Sequence, residues 1–187
     1  MRSFFLIVGF SLIAVTASAQ QVVAPAAPDM PARAGFWFSL GAGVGSRGLS
    51  CDNCIGAERE LGFSTTFRVG ATVSPQVTLG INLVGWIKPL DDPGRGEYGF
   101  FTALMGMAQV YPFRQRGFFV QGGGGYIIDV VDDDLVLDSP GIILGLGYDL
   151  RMRKGFSLTP QINYLRTLDG GNLVSNLYQL GIAATWH

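Results

Sequence analysis

The chain has 187 residues, which is room for one domain of ordinary size. Charged residues make up 14% of it, against roughly 25% in an average soluble domain, whereas glycine occurs 27 times and apolar residues reach 48%. The apolar content excludes a disordered chain, and a net charge of −1 gives no electrostatic reason to expect a nucleic-acid partner. Beyond the N-terminus no run of about 18 apolar residues could form a transmembrane helix. The composition therefore predicts a protein whose surface prefers lipid but which does not cross the membrane with helices.

Residues 1–19 have the layout of an export signal. Arg2 supplies a positive charge, an apolar core covers 4–15, and an A-x-A cleavage site stands at 17–19. We therefore expect cleavage after this site and export of the mature chain. Residues 20–34 are rich in proline and alanine and lack periodicity, which predicts a short linker.

From residue 35 onward, apolar residues alternate with small or polar ones at a period of two, which predicts β-strands. Eight such segments follow one another: 35–45, 62–73, 77–87, 99–112, 118–130, 141–151, 156–166 and 176–187. Short turns and longer loops alternate between the segments. An even number of strands of this length is typical of an outer-membrane barrel. The predicted fold is all-β: an eight-stranded antiparallel up-and-down transmembrane β-barrel over 35–187.

The alternation assigns the strand residues to two faces. In the last strand Leu180 and Ile182 share an apolar face, while Gln179 and Thr185 share a polar one. A soluble barrel encloses its apolar face, whereas a membrane barrel turns that face to lipid. Aromatic residues gather near both ends of the apolar strand faces, as interfacial girdles do. These are Phe36, Phe38, Phe118, Tyr148, Phe156 and Trp186 at one end, and Phe63, Phe100, Tyr126, Tyr164 and Tyr178 at the other.

From residue 35 to the C-terminus, this pattern resembles the small eight-stranded bacterial outer-membrane proteins of the OmpA and OmpX type, in the outer-membrane β-barrel-domain group. The closing strand, YQLGIAATWH, carries Trp186 before His187 and resembles the signal read by the barrel-insertion machinery. The resemblance implies a monomer in the bacterial outer membrane, in contact with lipid and lipopolysaccharide. Its long loops would face outward and its short turns the periplasm.

Two charged residues, Arg68 and Asp149, fall on the polar face well within strands. A buried charge needs a partner, so we predict that they pair or join a wider network. Its further members would be Asn82, Gln109, Gln121, Gln161 and Asn163. Such a network either plugs the lumen or gates a narrow pore. The bulky residues predicted to fill the same lumen are Trp37, Trp86, Met105, Met107 and Tyr111.

The first long loop contains Cys51 and Cys54, separated by two residues. Export to an oxidising compartment favours a local disulfide between them. A redox pair would need a thioredoxin-like βα context, and a zinc site would need two further ligands. The sequence shows neither.

A run of aspartates marks the third predicted long loop. Grouped carboxylates can hold Ca²⁺ or bridge to lipopolysaccharide phosphates through divalent ions, and otherwise they form a solvated loop. The residues of this possible weak cation site are Asp132, Asp133, Asp134 and Asp138, with Asp129 close by.

Three functional hypotheses follow. The first is a structural or surface-interaction barrel, the second a narrow porin-like channel or small-molecule conduit, and the third a soluble, exported, lipocalin-like barrel for an apolar ligand. We favour the first because eight strands leave little lumen once the bulky residues are placed. The single histidine, His187, ends the chain, so we expect no catalytic residues, no enzyme activity and no cofactor.

Overall fold

The computed structural model describes residues 35–51, 59–89, 98–113, 116–132, 135–168 and 173–187. The predicted signal peptide at 1–19 and the linker at 20–34 lie outside these residues. The strands are β1 Gly35–Cys51, β2 Glu60–Ser74, β3 Val77–Pro89, β4 Tyr98–Val110, β5 Phe118–Asp132, β6 Leu135–Tyr148, β7 Leu150–Arg153, β8 Phe156–Thr167 and β9 Leu173–Trp186. In the described part of the chain, no helix is long and apolar enough to cross a membrane.

The sheet closes on itself. Neighbouring strands from β1 to β6 and from β7 to β9 pair antiparallel, and β1 pairs with both β2 and β9. Strands β6 and β7 both pair with β8 and form one barrel strand interrupted at Asp149. The N–H of Asp149 donates to the Gly117 carbonyl at 3.0 Å, so the ladder towards β5 continues past the interruption. The structure is therefore a closed eight-stranded antiparallel barrel, which confirms the predicted fold.

The strands are strongly staggered around the barrel. Following paired residues once around it from Trp37 leads to Arg47, ten residues further along β1. The path runs through Gly70, Gly80, Met107, Gly123, Ile143, Leu165 and Leu177. In a small barrel with such a stagger the strands tilt and enclose space for side chains only. Glycine permits the tight curvature, since a Cβ at Gly70 would collide with the Leu79 carbonyl.

The two faces separate by chemistry as the alternation predicts. Ser39, Asn82 and Asn163 are buried inside the barrel, whereas Leu40 and Leu180 are 52% and 56% exposed on its outside. None of the aromatic residues assigned to the two girdles is buried. An exposed apolar belt is typical of a surface that faces lipid. The third hypothesis, a soluble barrel with its apolar face enclosed, is therefore wrong.

Several strands are longer than the sequence predicted. Strand β1 continues to Cys51 instead of ending at residue 45. Strand β5 continues to Asp132, and β6 already begins at Leu135. The third predicted long loop is thus largely a β-hairpin, and its placement in the sequence analysis was wrong. The physical reason is that a ladder can continue on backbone hydrogen bonds beyond the lipid, where outward residues no longer need to be apolar.

Candidate functional site

The lumen is filled by three layers of side chains with different chemistry. A polar layer lies towards the short turns, an apolar layer lies above it, and a charged layer lies towards the long connections. The sequence predicted an enclosed face of small and polar residues with five bulky residues filling it, all of which are buried, but it did not predict the layers. The layers decide what the barrel can do.

A relay of amides crosses the polar layer. Thr78 donates to Gln109 at 2.9 Å, and the Gln109 amide donates to Gln121 Oε1 at 3.1 Å. Gln121 then donates to Asn163 Oδ1 at 2.6 Å, and Asn163 donates to Gln179 Oε1 at 2.9 Å. Each amide both donates and accepts, so the relay ties strands from opposite sides of the lumen together.

The guanidinium of Arg68 joins this relay. Its Nη2 donates to Ser39 Oγ at 2.9 Å and its Nη1 approaches Gln121 Oε1 at 3.5 Å. Arg68 is 1% exposed, so both contacts lie away from bulk water. Asn82, predicted to be part of the network, makes no side-chain hydrogen bond within the described residues. The structure thus brings Arg68, Gln109 and Gln121 together and leaves Asn82 beside them.

Asp149 lies at the lower edge of the same layer. Its carboxylate accepts hydrogen bonds from Tyr111 at 3.0 Å and from Thr159 at 2.8 Å, and it interacts electrostatically with Arg68. The two predicted charges are therefore close, and Ser39, Tyr111 and Thr159 are neutral side chains that bond to them. The cavity between them is about 10 Å³, which is roughly the space of one water molecule. This cavity has no room for a larger solute.

The apolar layer closes the lumen above this network. It consists of Val84, Trp86, Phe101, Ala103, Met105, Ile127, Ile143, Leu165 and Leu177. Trp86 is 1% exposed and the other members are 0% exposed. Water therefore reaches none of these side chains to a significant extent, and no aqueous path passes between them.

The charged layer covers the apolar one. Arg47 Nε lies 3.1 Å from Asp129 Oδ2, and Arg47 Nη1 lies 3.2 Å from Glu60 Oε2. Lys88 Nζ lies 3.4 Å from the other oxygen of Glu60, and Ser175 donates to Asp129. Arg47 and Asp129 are 2% and 0% exposed. Because two buried charges face each other directly, each depends on the other for its stability in this position.

Trp86 joins the charged layer to the apolar one. The Arg47 guanidinium carbon lies 5.4 Å from the Trp86 ring centre, within cation–π range. The Trp86 indole N–H donates to the Gly45 carbonyl at 3.0 Å. The ring is thus held by a hydrogen bond and covered by a cation, so the boundary between the two layers is firmly packed.

Solved structures share this closed architecture and its strand number. Ail of Yersinia pestis matches with a TM-score of 0.55 and 9% identity, covering 82% of this chain and 99% of Ail. Neisserial surface protein A matches with a TM-score of 0.53 and 12% identity, covering 81% of this chain and 96% of that protein. OprG of Pseudomonas aeruginosa matches with a TM-score of 0.50 and 14% identity, covering 85% of this chain and 100% of OprG. The fold is that of the small eight-stranded outer-membrane β-barrels. No protein-family model and no curated protein matches the sequence.

Within this outer-membrane barrel fold, the charged layer is what the sequence analysis missed. Arg47 was assigned to the first long loop, and Asp129 to the third. The signal was present in the alternation, since Arg47 continues the enclosed positions of β1 and Asp129 those of β5. Extending the first predicted strand by two residues would have placed Arg47 in the lumen, and Asp129 already falls on an enclosed position of the predicted segment 118–130.

Other predicted site residues fall outside what the structure describes. The disulfide prediction involves Cys54 and the side chain of Cys51, and both lie outside it. Of the aspartates in the possible cation site, Asp138 is described, and it is exposed and accepts a hydrogen bond from Tyr126 at 2.8 Å. The side chain of Asp132 and the whole of 133–134 lie outside. Both sites remain predictions, and the described residues contain no group of three or more metal-ligating side chains.

His187 lies at the short-turn end of the barrel, next to Ser157. Its Nε2 is 3.3 Å from Ser157 Oγ, and its backbone N–H donates to the Gly155 carbonyl at 3.0 Å. These contacts extend the β8–β9 pairing to the last residue of the chain. The ends of β8 and β9 are thus joined by both backbone and side-chain contacts.

Proposed function

We propose that this chain is an outer-membrane β-barrel with a closed lumen, and that its role is structural or surface-interacting. The observation that carries the proposal is the apolar layer, in which Phe101, Ile127 and Leu177 are fully buried. A channel needs a continuous water-filled or polar path, and this layer interrupts it.

Outer-membrane placement is supported by three features. The outside carries an apolar belt between two aromatic girdles, the predicted export signal directs the chain out of the cytoplasm, and the fold matches outer-membrane structures. In this proposal the chain is a monomer assembled by the barrel-insertion machinery. Its long connections face outward and its short turns face the periplasm.

The charged layer supports a role for the outward end. Arg47, Glu60, Lys88 and Asp129 join the outer ends of β1, β2, β3 and β5. The long connections that follow β1 and β3 therefore start from fixed strand ends. Ail, which shares the fold, is an attachment invasion locus protein. The corresponding proposal is that the outward end of this barrel contacts an external surface.

The alternative function is a narrow conduit. The polar layer favours it, because Arg68 and the amide relay would suit a small polar solute. Conduction would require the apolar layer to move aside, however. A closed barrel is therefore the better-supported function.

Planar-bilayer recording separates these two functions. We expect the wild-type protein to give no channel events, because the apolar layer excludes water. Replacing Phe101, Ile127 and Leu177 together by alanine should produce measurable conductance by opening that layer. The matched control is Leu104→Ala, on the outward face of the same strand as Phe101, which should remain silent.

Stable ion currents from the wild-type protein would contradict the closed lumen and support the conduit. Membrane placement has its own readout, which is heat-modifiable gel migration of protein from an outer-membrane fraction. Recovery as a soluble periplasmic monomer would overturn the membrane assignment.

A further inference from the structure

Arg59 lies across the outward face of β1 near the long connections. Its Nε donates to Ser46 Oγ at 2.9 Å, and its Nη1 donates to Asn176 Oδ1 at 2.7 Å. Its Nη2 also donates to the Ser46 carbonyl. The side chain therefore starts next to β2, crosses β1 and ends above β9. Because these hydrogen bonds fix the guanidinium group, the N–H groups that they leave unused point in defined directions.

Gly48 makes this crossing possible. A Cβ at Gly48 would stand 2.5 Å from Arg59 Nη1 and 3.1 Å from its guanidinium carbon. Any larger residue at position 48 would displace the end of the arginine side chain. The Arg59 side chain can thus cross β1 only because position 48 has no side chain.

Two tyrosines lie just below the guanidinium on the same outward face. The Arg59 guanidinium carbon lies 4.6 Å from the Tyr178 ring centre, and the Tyr164 ring centre lies 4.8 Å from that of Tyr178. Both tyrosines belong to the aromatic girdle at this end of the barrel. Because girdle aromatics sit at the height of lipid headgroups, Arg59 lies at that height as well.

A second arginine is paired with Asn176 from the other side, on β8. Arg166 is the paired residue of Asn176 across β8 and β9, and its side chain is exposed. In the described part of the chain, Arg166 has no hydrogen bond or ion pair, and no carboxylate pairs with Arg59. Two uncompensated guanidinium groups therefore flank Asn176 on the outside of the barrel.

We propose that Arg59 and Arg166 bind a phosphate group of an outer-leaflet glycolipid; this inference rests on the proposed membrane placement. Guanidinium groups match phosphate oxygens in charge and geometry and can bind them through paired N–H donors. The source is a lipid because the site continues directly into the apolar belt. Leu180 and Ile182 follow Tyr178 on the same face of β9 and are 56% and 59% exposed, where acyl chains would lie.

The test is native mass spectrometry of the folded protein in detergent, with bisphosphorylated lipid A and fully dephosphorylated lipid A as probes. The wild-type protein should retain the phosphorylated form and lose the dephosphorylated one. R59Q and R166Q should each weaken retention by about tenfold, the effect of one lost charge-assisted hydrogen bond. Gly48→Ala should weaken it as R59Q does, although it removes no charge.

Two matched variants control for charge and for the glycine change. R153Q removes an exposed arginine that lies 5.5 Å from the Phe156 ring at the opposite end of the barrel. Gly106→Ala adds a Cβ whose nearest neighbour is 3.6 Å away. Both variants should retain lipid A as the wild type does.

Equal retention of both lipid forms, or unchanged retention in R59Q and R166Q, would overturn the phosphate site. Displacement of lipid A by millimolar inorganic phosphate would overturn the choice of a lipid as the source. Heat-modifiable migration is measured on the same samples. A protein that migrates as a membrane barrel but fails the lipid test loses only this site, whereas one that does not so migrate loses the proposed function.

Discussion

The two ends of the lumen solve the problem of buried polarity in different ways. Towards the short turns, Arg68 donates to Ser39, and Asp149 accepts hydrogen bonds from Tyr111 and Thr159. Towards the long connections, Arg47 and Asp129 meet directly. These hydrogen bonds to neutral side chains contrast with a direct pair of buried charges. We therefore expect the removal of one residue to cost more towards the long connections.

The largest expected effect is that of Asp129→Ala. It leaves Arg47 buried without its carboxylate partner, so we expect a loss of about 4 kcal/mol in the free energy of unfolding. Urea titration of the barrel folded in lipid vesicles measures this loss. Asp138→Ala, an exposed acid on the same hairpin, is the control and should change stability little. Equal losses in the two variants would show that the buried pair contributes nothing special.

Leu177→Ala tests the apolar layer between the two ends. We expect a loss of about 3 kcal/mol, because both transfer free energy and packing are lost in a site that cannot collapse. Leu180→Ala, on the lipid face of the same strand, loses the transfer contribution alone, about 2 kcal/mol, because lipid fills the space. The same titration compares them. If Leu180→Ala costs as much as Leu177→Ala, the layer is not tightly packed.

The smallest of the three effects is expected for Gln121→Ala, towards the short turns. It removes the link between Gln109 and Asn163 and leaves the Gln109 side-chain N–H and Asn163 Oδ1 without that partner, for a loss of about 2 kcal/mol. Gln179→Ala, at the end of the relay, should cost about 1 kcal/mol. A loss at Gln121 that exceeds the loss at Asp129 would reverse the proposed difference between the two ends.

The sequence predicted the short-turn end of the lumen better than the other end. Arg68, Gln109 and Gln121 stand within long alternating segments, so their face could be assigned by position alone. Arg47 stands among serine and glycine residues, where the apolar half of the pattern has already ended, and Asp129 was grouped with the aspartates that follow it. Strand extension there depends on pairing with a neighbour, as Arg47 pairs with Glu60, and a single segment does not reveal its neighbour.

Most of the apolar layer was also missed, although two of its members, Trp86 and Met105, were predicted to fill the lumen. Phe101, Ile127 and Leu177 fall on enclosed positions. Where an enclosed residue and its outward-facing neighbour are both apolar, the sequence does not alternate in polarity, so the face of each residue is not evident. These three residues lie at the same height because paired residues shift by ten positions along β1 in one circuit of the barrel. That shift is the sum of the registers of all the strand pairs. Burial in one layer is therefore invisible until the barrel is closed.

By itself, the sequence determined the strand count, the chemistry of most outward positions and the closed antiparallel topology, because a period of two is a local property of the chain. The tertiary structure alone decided which enclosed residues share a height, that Arg47 meets Asp129, and that Arg59 reaches Asn176 across Gly48. These contacts join residues far apart in the sequence, and their geometry is set by the register of the whole ring.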